Sequence, residues 1–199
     1  MRSFKLNETI GLLASWLVIS ICFSIGAAFS YPEFFYLIFA LSAASAGLGF
    51  ILHELAHRSV ARRYGCHAYY QIWPMGLVLA LVVSILTRGS FIFAALGAVY
   101  ITPMLATSTL DYNALKRVFG LISLSGPAMN LLLVAFFYTI QPFGGYISLL
   151  ASYGMSINLW LAAFNLIPVP PFDGSKIFAW SKVTWALFAV PAWVLVLIL

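Results

Sequence analysis

The densest chemistry in the chain is the pentapeptide His53-Glu54-Leu55-Ala56-His57. On an α-helix, two histidines four residues apart lie on one face, a turn from each other, so both rings can reach one cation. Glu54 follows the first histidine and can hold a water beside that cation as general base. The plain alternative is a helix end meeting water, with its polar residues solvated. The setting weighs against it. The chain has 3 histidines and 5 acidic residues, and two of the former and one of the latter fall here. Ionisable groups in an apolar helix are costly unless they pair, bind metal or do work.

A second group of residues lies far downstream, in Asn165-Leu166-Ile167-Pro168-Val169-Pro170-Pro171-Phe172-Asp173-Gly174. Its prolines fix φ, lack amide donors and make the segment stiff and extended. Backbone of this kind inside a membrane must be buried in protein or line a cavity. Asp173 is the only acid in the last third of the chain. A carboxylate suits a zinc already held by two histidines, and an Asp before Gly-Ser equally suits a helix N-cap.

The elements that must position these groups are membrane helices. Of 199 residues, 63% are hydrophobic and 8% charged, against about 25% charged in soluble domains. Mean hydropathy is +1.03. Several apolar runs reach the roughly 20 residues needed to cross a bilayer, which excludes a soluble enzyme. The net charge of +5 does not indicate nucleic-acid binding, because the basic residues come in small groups between apolar runs, the pattern that orients membrane proteins. Cys22 and Cys66 offer neither a disulfide framework nor a C-x-x-C site and read as free thiols.

Arg2 and Lys5 precede an apolar run from about Ile10 to Phe29. Its length favours a retained first helix over a cleaved signal. A second run, Phe34 to Leu52, continues through the histidine motif to Arg58, Arg62, Arg63 and Tyr64, with Gly65 as the stop. Its closely spaced Ser, Ala and Gly residues permit tight helix approach. The three arginines place the motif near the cytoplasmic face. His67 falls beyond the stop and reads as interfacial rather than as a ligand. From Trp73 to Ile101, two short apolar runs around Thr87-Arg88-Gly89-Ser90 suit either a β-hairpin or a helical hairpin. A hairpin of either kind returns to the side it left, in keeping with Lys116 and Arg117 beyond it. A helix from about Val118 to Ile140 carries Gly126-Pro127-Ala128-Met129-Asn130, read as a packing kink with Asn130 bonding a freed carbonyl or a neighbouring helix. The next helix, Tyr146 to Leu166, holds Asn158 for an interhelical hydrogen bond. Lys176 and Lys182 keep the following turn cytoplasmic, and a last apolar run starts near Val183.

Taken together, these pieces resemble the site-2 protease family of intramembrane zinc metalloproteases. The resemblance rests on His53-Glu54-Leu55-Ala56-His57, Gly126 to Asn130, and Asn165 to Gly174, and covers roughly residues 34–176. Ala56 stands where the family commonly has Gly. The resemblance implies one zinc per chain held by His53, His57 and Asp173, with Glu54 as catalytic base and Asn165 positioning substrate or the oxyanion. It also implies a membrane-associated sheet after the metal helix, which favours the β reading of Trp73 to Ile101. The expected fold is a membrane all-α polytopic bundle of about five to six transmembrane helices with a membrane-associated β-hairpin or re-entrant segment. One integral membrane domain is expected over 1–199: first helix and outer turn 1–33, metalloprotease core 34–176, C-terminal helix 177–199. The expected partners are the lipid bilayer and a transmembrane-protein substrate cut in regulated intramembrane proteolysis, with no nucleic acid and no stated oligomeric state. The rival is an inactive relative acting as a membrane helix-binding scaffold. A metal transporter is disfavoured, because the strong polar groups gather at one level near one face.

Overall fold

A computed structural model describes residues 8–103 and 111–198. Arg2 and Lys5, and the end of the Trp73 to Thr109 stretch, lie outside the described residues. The elements in order are α1 (Glu8–Ser30), α2 (Phe35–Arg63), β1 (Cys66–Ile72), α3 (Pro74–Leu86), β2 (Gly97–Pro103), α4 (Tyr112–Ile140), α5 (Gly145–Asn165), α6 (Asp173–Trp180) and α7 (Lys182–Ile198). Four helices are long and apolar enough to cross a membrane: α1, α2, α4 and α5, counting the short turns fused to α2 and α4. The helices α3 and α7 are apolar but shorter. Among the described residues, then, four helices meet the length of a span where five to six were expected.

Helix α2 spans 29 residues, about 43 Å at 1.5 Å per residue. It ends with Arg62 and Arg63 in its last turn, and Gly65 follows at φ 68°. Helix α4 starts six residues before the expected Val118. The Asp111 carboxylate accepts from the Ala114 amide at 2.7 Å and caps it, so Lys116 and Arg117 lie on the helix rather than ahead of it. Pro127 and Asn130 are both buried within α4. The small residues of α2 do pack closely: a Cβ on Gly49 would lie 2.6 Å from Asn158 Oδ1 on α5.

The sheet departs from the expected hairpin. Strand β1 pairs antiparallel with β2, Tyr70 opposite Val99 and Ile72 opposite Gly97. Strand β1 precedes the first apolar run, and β2 takes up the second half of the second, Gly97 to Ile101. The first run is helix α3, opened by Pro74 at its first position, where a missing amide costs nothing. A continuous apolar run has no period to separate strand from helix. At the start of α3, Ile72 and Tyr70 adjoin Gly11 of α1; at its end, Arg88 and Gly89 adjoin Gly26. The arm therefore follows α1 for 15 residues, about 22 Å. Residues 91–96 then run back without helix or strand to β2. The Trp160 indole donates to Ile92 O at 2.9 Å and the Trp73 amide to Leu96 O at 2.9 Å. His67, expected at the interface, sits on β1 with its ring against Tyr69.

The break between the last two helices falls at Ser181, which is extended (φ −151°, ψ 108°) and whose hydroxyl accepts from the Thr184 amide. The proline segment before α6 is tied to α7, whose Trp185 indole donates to Leu166 O at 2.8 Å while Trp193 donates to Ala163 O at 2.9 Å. A second apolar core of Leu159, Leu166, Ile177 and Ala189 backs this region, apart from the larger core around α1, α2 and the sheet. Neither Cys22 nor Cys66 forms a disulfide, and both are buried.

Candidate metal centre

Three chain segments bring ligands to one point. Helix α2 presents His53 and His57 one turn apart, 4% and 5% exposed. The turn after Asn165 delivers Asp173 as the first residue of α6. Gly174 makes that turn possible, since a Cβ there would overlap the carbonyl oxygens of Leu166 and Ile167. Phe172, not Asp173, stands at the N-cap of α6. Asp173 Oδ2 lies 2.9 Å from His57 Nε2 and 3.4 Å from His53 Nε2, and the two Nε2 atoms are 3.0 Å apart. Ligand atoms on a tetrahedral zinc at about 2.0–2.1 Å sit roughly 3.3 Å from one another, so the triangle is the right size for one ion.

Hydrogen bonding fixes which nitrogens face the centre. His53 Nδ1 donates to Asn130 Oδ1 at 2.6 Å, and His57 Nδ1 donates to Ile122 O at 2.7 Å. Each neutral ring then carries a lone pair on Nε2. Two lone pairs and a carboxylate converge with no proton to share, an arrangement that calls for a cation. Burial alone would raise the Asp173 carboxyl; once the His57 and His53 rings carry protons, as they would without a cation, they outweigh burial and hold it well below the usual carboxylate range. The other side of the centre is Gly126 of α4, where a Cβ would overlap His57 Nε2 and lie 2.6 Å from His53 Nε2.

Glu54 is 8% exposed and its Oε2 is buried without a hydrogen-bond partner. It lines a cavity of about 450 Å³ together with His53, His57, Asp173, Asn165 and the whole run Gly97–Ile101 of β2. Asn165 donates to Leu161 O at 2.9 Å, which uses one of its two amide hydrogens. All five residues singled out in the sequence therefore border one cavity.

Several contributors were not foreseen in those roles. Asn130 bonds the neighbouring helices as expected, its Nδ2 donating to Gly49 O at 3.1 Å and Asn158 Oδ1 at 3.0 Å, but its Oδ1 also orients His53, a role the sequence does not single out. Asn158 in turn donates to Gly154 O. An asparagine buried in an apolar helix must find partners, and that signal was available; the identity of the partner depended on helix pairing. Arg58 was read for topology only. It donates to Glu8 Oε1 at 3.0 Å, and the same oxygen accepts from the Tyr70 amide, so Glu8 ties α1 to the metal helix and β1.

No protein-family model and no solved structure matches the chain. Two curated proteins are similar to it. "Putative zinc metalloprotease MJ0611" of Methanocaldococcus jannaschii is 37% identical over 191 residues, covering 94% of this chain and 92% of that protein. "Putative zinc metalloprotease YwhC" of Bacillus subtilis is 27% identical over 154 residues, covering 65% and 64%.

Proposed function

The chain belongs to the zinc metalloprotease family of its archaeal relative, and on that premise we propose that it is an intramembrane endopeptidase of the site-2 protease type. It hydrolyses peptide bonds in or near the transmembrane segments of other membrane proteins. The observation that carries this reading is the convergence of His53 Nε2, His57 Nε2 and Asp173 Oδ2 beside the unpartnered Glu54 Oε2.

His53, His57 and Asp173 would hold the zinc. When bound, it supplies a Lewis acid for the scissile carbonyl and brings the pKa of a water beside it to about 7. Glu54 Oε2 accepts a proton from the attacking water and returns it to the departing amine. The free amide hydrogen of Asn165 points the developing oxyanion. The outer edge of β2 has no strand partner among the described residues and borders the cavity. An unwound substrate segment adds to that edge as a third strand, its backbone groups paired while its carbonyl meets the centre.

The basic residues Arg62, Arg63, Lys116, Arg117 and Lys182 flank helix ends on the side of the bundle that carries the centre, which supports a cytoplasmic position for it. His57 lies five residues before Arg62 on α2, about 7.5 Å along the axis, a short path for water. The test is turnover of a membrane-embedded peptide by purified chain supplied with zinc. Glu54→Gln is expected to lower turnover by about 10²–10⁴-fold with zinc content and melting temperature kept. Turnover by that variant equal to wild type would remove Glu54 as the base.

A further inference from the structure

Ser123 and Lys176 are among the polar residues of the cavity lining that have no part in the hydrolysis itself. Ser123 of α4 is 1% exposed, lines the cavity, and its Oγ is buried without a hydrogen-bond partner. Buried hydroxyls in proteins are nearly always bonded, and of the orphaned serine hydroxyls among the described residues Ser123 is the one whose residue lines this cavity. Lys176 of α6 lines the same cavity, is exposed, and makes no salt bridge among the described residues.

Their relative position follows from how α4 and α6 cross. A Cβ on Gly120 would lie 2.6 Å from the Trp180 side chain. At the other end, Gly126 abuts the histidine nitrogens that contact Asp173. The two helices therefore run antiparallel, with 120 beside 180 and 126 beside 173. Ser123 and Lys176 are each midway, on facing helices at one level. Each is three residues from its end of the metal centre, about 4.5 Å along the axis, and positions three apart share a helix face.

Charge settles what such a pair would hold. A bound dication balances the carboxylates of Asp173 and Glu54. That leaves the Lys176 ammonium as the uncompensated charge in the cavity, beside a hydroxyl free to donate. Resting on the protease reading, we infer that Lys176 and Ser123 form an anion subsite that takes a carboxylate of the peptide substrate, one or two residues from the scissile bond. The spacing fits, since an extended peptide advances about 3.3 Å per residue. The carboxylate comes either from an Asp or Glu side chain or from the chain terminus of a short substrate.

The experiment uses the full chain with zinc in nanodiscs of phosphatidylcholine. The probes are fluorescent apolar membrane peptides carrying Glu or Gln at each of the two positions on either side of the cut, plus peptides ending there as carboxylate or amide. Cleavage (kcat/KM) and binding by anisotropy are read on the same samples. At one position, wild type is expected to favour Glu over Gln about tenfold, the scale of one charge-assisted hydrogen bond. The ratio should fall to about one in Lys176→Gln, shrink in Ser123→Ala, and survive in Lys176→Arg. A preference confined to the terminal carboxylate peptides assigns the site to the chain end; one seen with internal Glu assigns it to side chains. Cleavage with no charge preference at any position overturns the subsite and leaves the protease reading standing. Charge-selective binding lost in Lys176→Gln, with no cleavage by wild type, keeps the subsite and overturns the protease reading. A Lys176→Gln effect that appears only when phosphatidylglycerol is added makes Lys176 a headgroup anchor and overturns the subsite.

Discussion

The metal centre and the α3 arm, the latter through Pro74, Ala94 and Ala95, border one cavity and are held by different forces. Around the centre, directional bonds fix each ring: Asn130 holds His53, Ile122 O holds His57, and Asn158 and Gly49 hold Asn130. The arm's directional bonds run mostly within itself, from the Thr87 hydroxyl to Phe91 O, from the Phe91 amide to Thr87 Oγ1 and from the Trp73 amide to Leu96 O. Against the bundle its return limb is lodged by rings, with Phe91 5.5 Å from Trp160 and Phe93 5.6 Å from Phe164, which lies 4.8 Å from Phe172, and by the indole bond from Trp160 to Ile92 O. Met75, Val78, Val82 and Ile85 of α3 remain exposed, as a lipid-facing surface would be. Directional networks resist displacement because a half-satisfied network is worse than none. Apolar contacts slide at little cost. The side that does chemistry is thus rigid, and the side past which a substrate must come is the compliant one.

Changes on the rigid side should have the larger effects. Gly126→Ala puts a methyl group where the two Nε2 atoms lie and is expected to weaken zinc binding by more than about 100-fold, beyond the 10–100-fold range of outer-shell changes. Chelator competition reads it; unaltered affinity would mean that the helices part freely, against the contrast drawn above. Asn130→Ala leaves both ligands in place and frees the His53 ring. The expected loss is about 10–100-fold in zinc affinity, with Asn130→Asp, which keeps the acceptor, closer to wild type.

Acidity probes the same side. Both Nε2 atoms must be unprotonated to bind metal, so zinc affinity should fall on acidification while Asp173 is still charged. Asp173 is held below the usual carboxylate range. A depressed carboxyl contributes above that range and is lost only well below it, so loss of the Asp173 charge is not what weakens binding first. A midpoint near 4 in an equilibrium zinc titration would implicate the carboxylate instead.

On the compliant side, Trp160→Phe removes one indole bond to Ile92 O and keeps most of the ring packing. A stability loss of about 1 kcal/mol is expected, seen as a slightly lower melting temperature in detergent, with zinc affinity unchanged. A loss of zinc in this variant would erase the distinction between the two sides.

How much of this was legible follows the same division. His53, Glu54, His57 and Asp173 stood out because ionisable residues are rare in so apolar a chain, and their meeting needed only helices of ordinary length. Asn130 was visible as a polar residue that needed a partner. Choosing His53 over a backbone carbonyl required knowing that α2 and α4 touch at Gly126. The arm's residues leave strand and helix open, because Met75 to Leu86 is apolar but for Ser84 and shows neither period; it is the resemblance that favours strand there. Pro74, at the first turn of α3, was the available signal. Glu8 and Arg58 are 50 residues apart, and nothing local in the sequence couples them.

The most direct test of the account is the zinc content of the purified chain, wild type beside Asp173→Ala and Glu54→Gln. One zinc per chain in wild type and in Glu54→Gln, lost or sharply weakened in Asp173→Ala, is the expected result. A well-folded wild type that takes up no zinc when supplied with it, or an Asp173→Ala variant that binds zinc as wild type does, would contradict it.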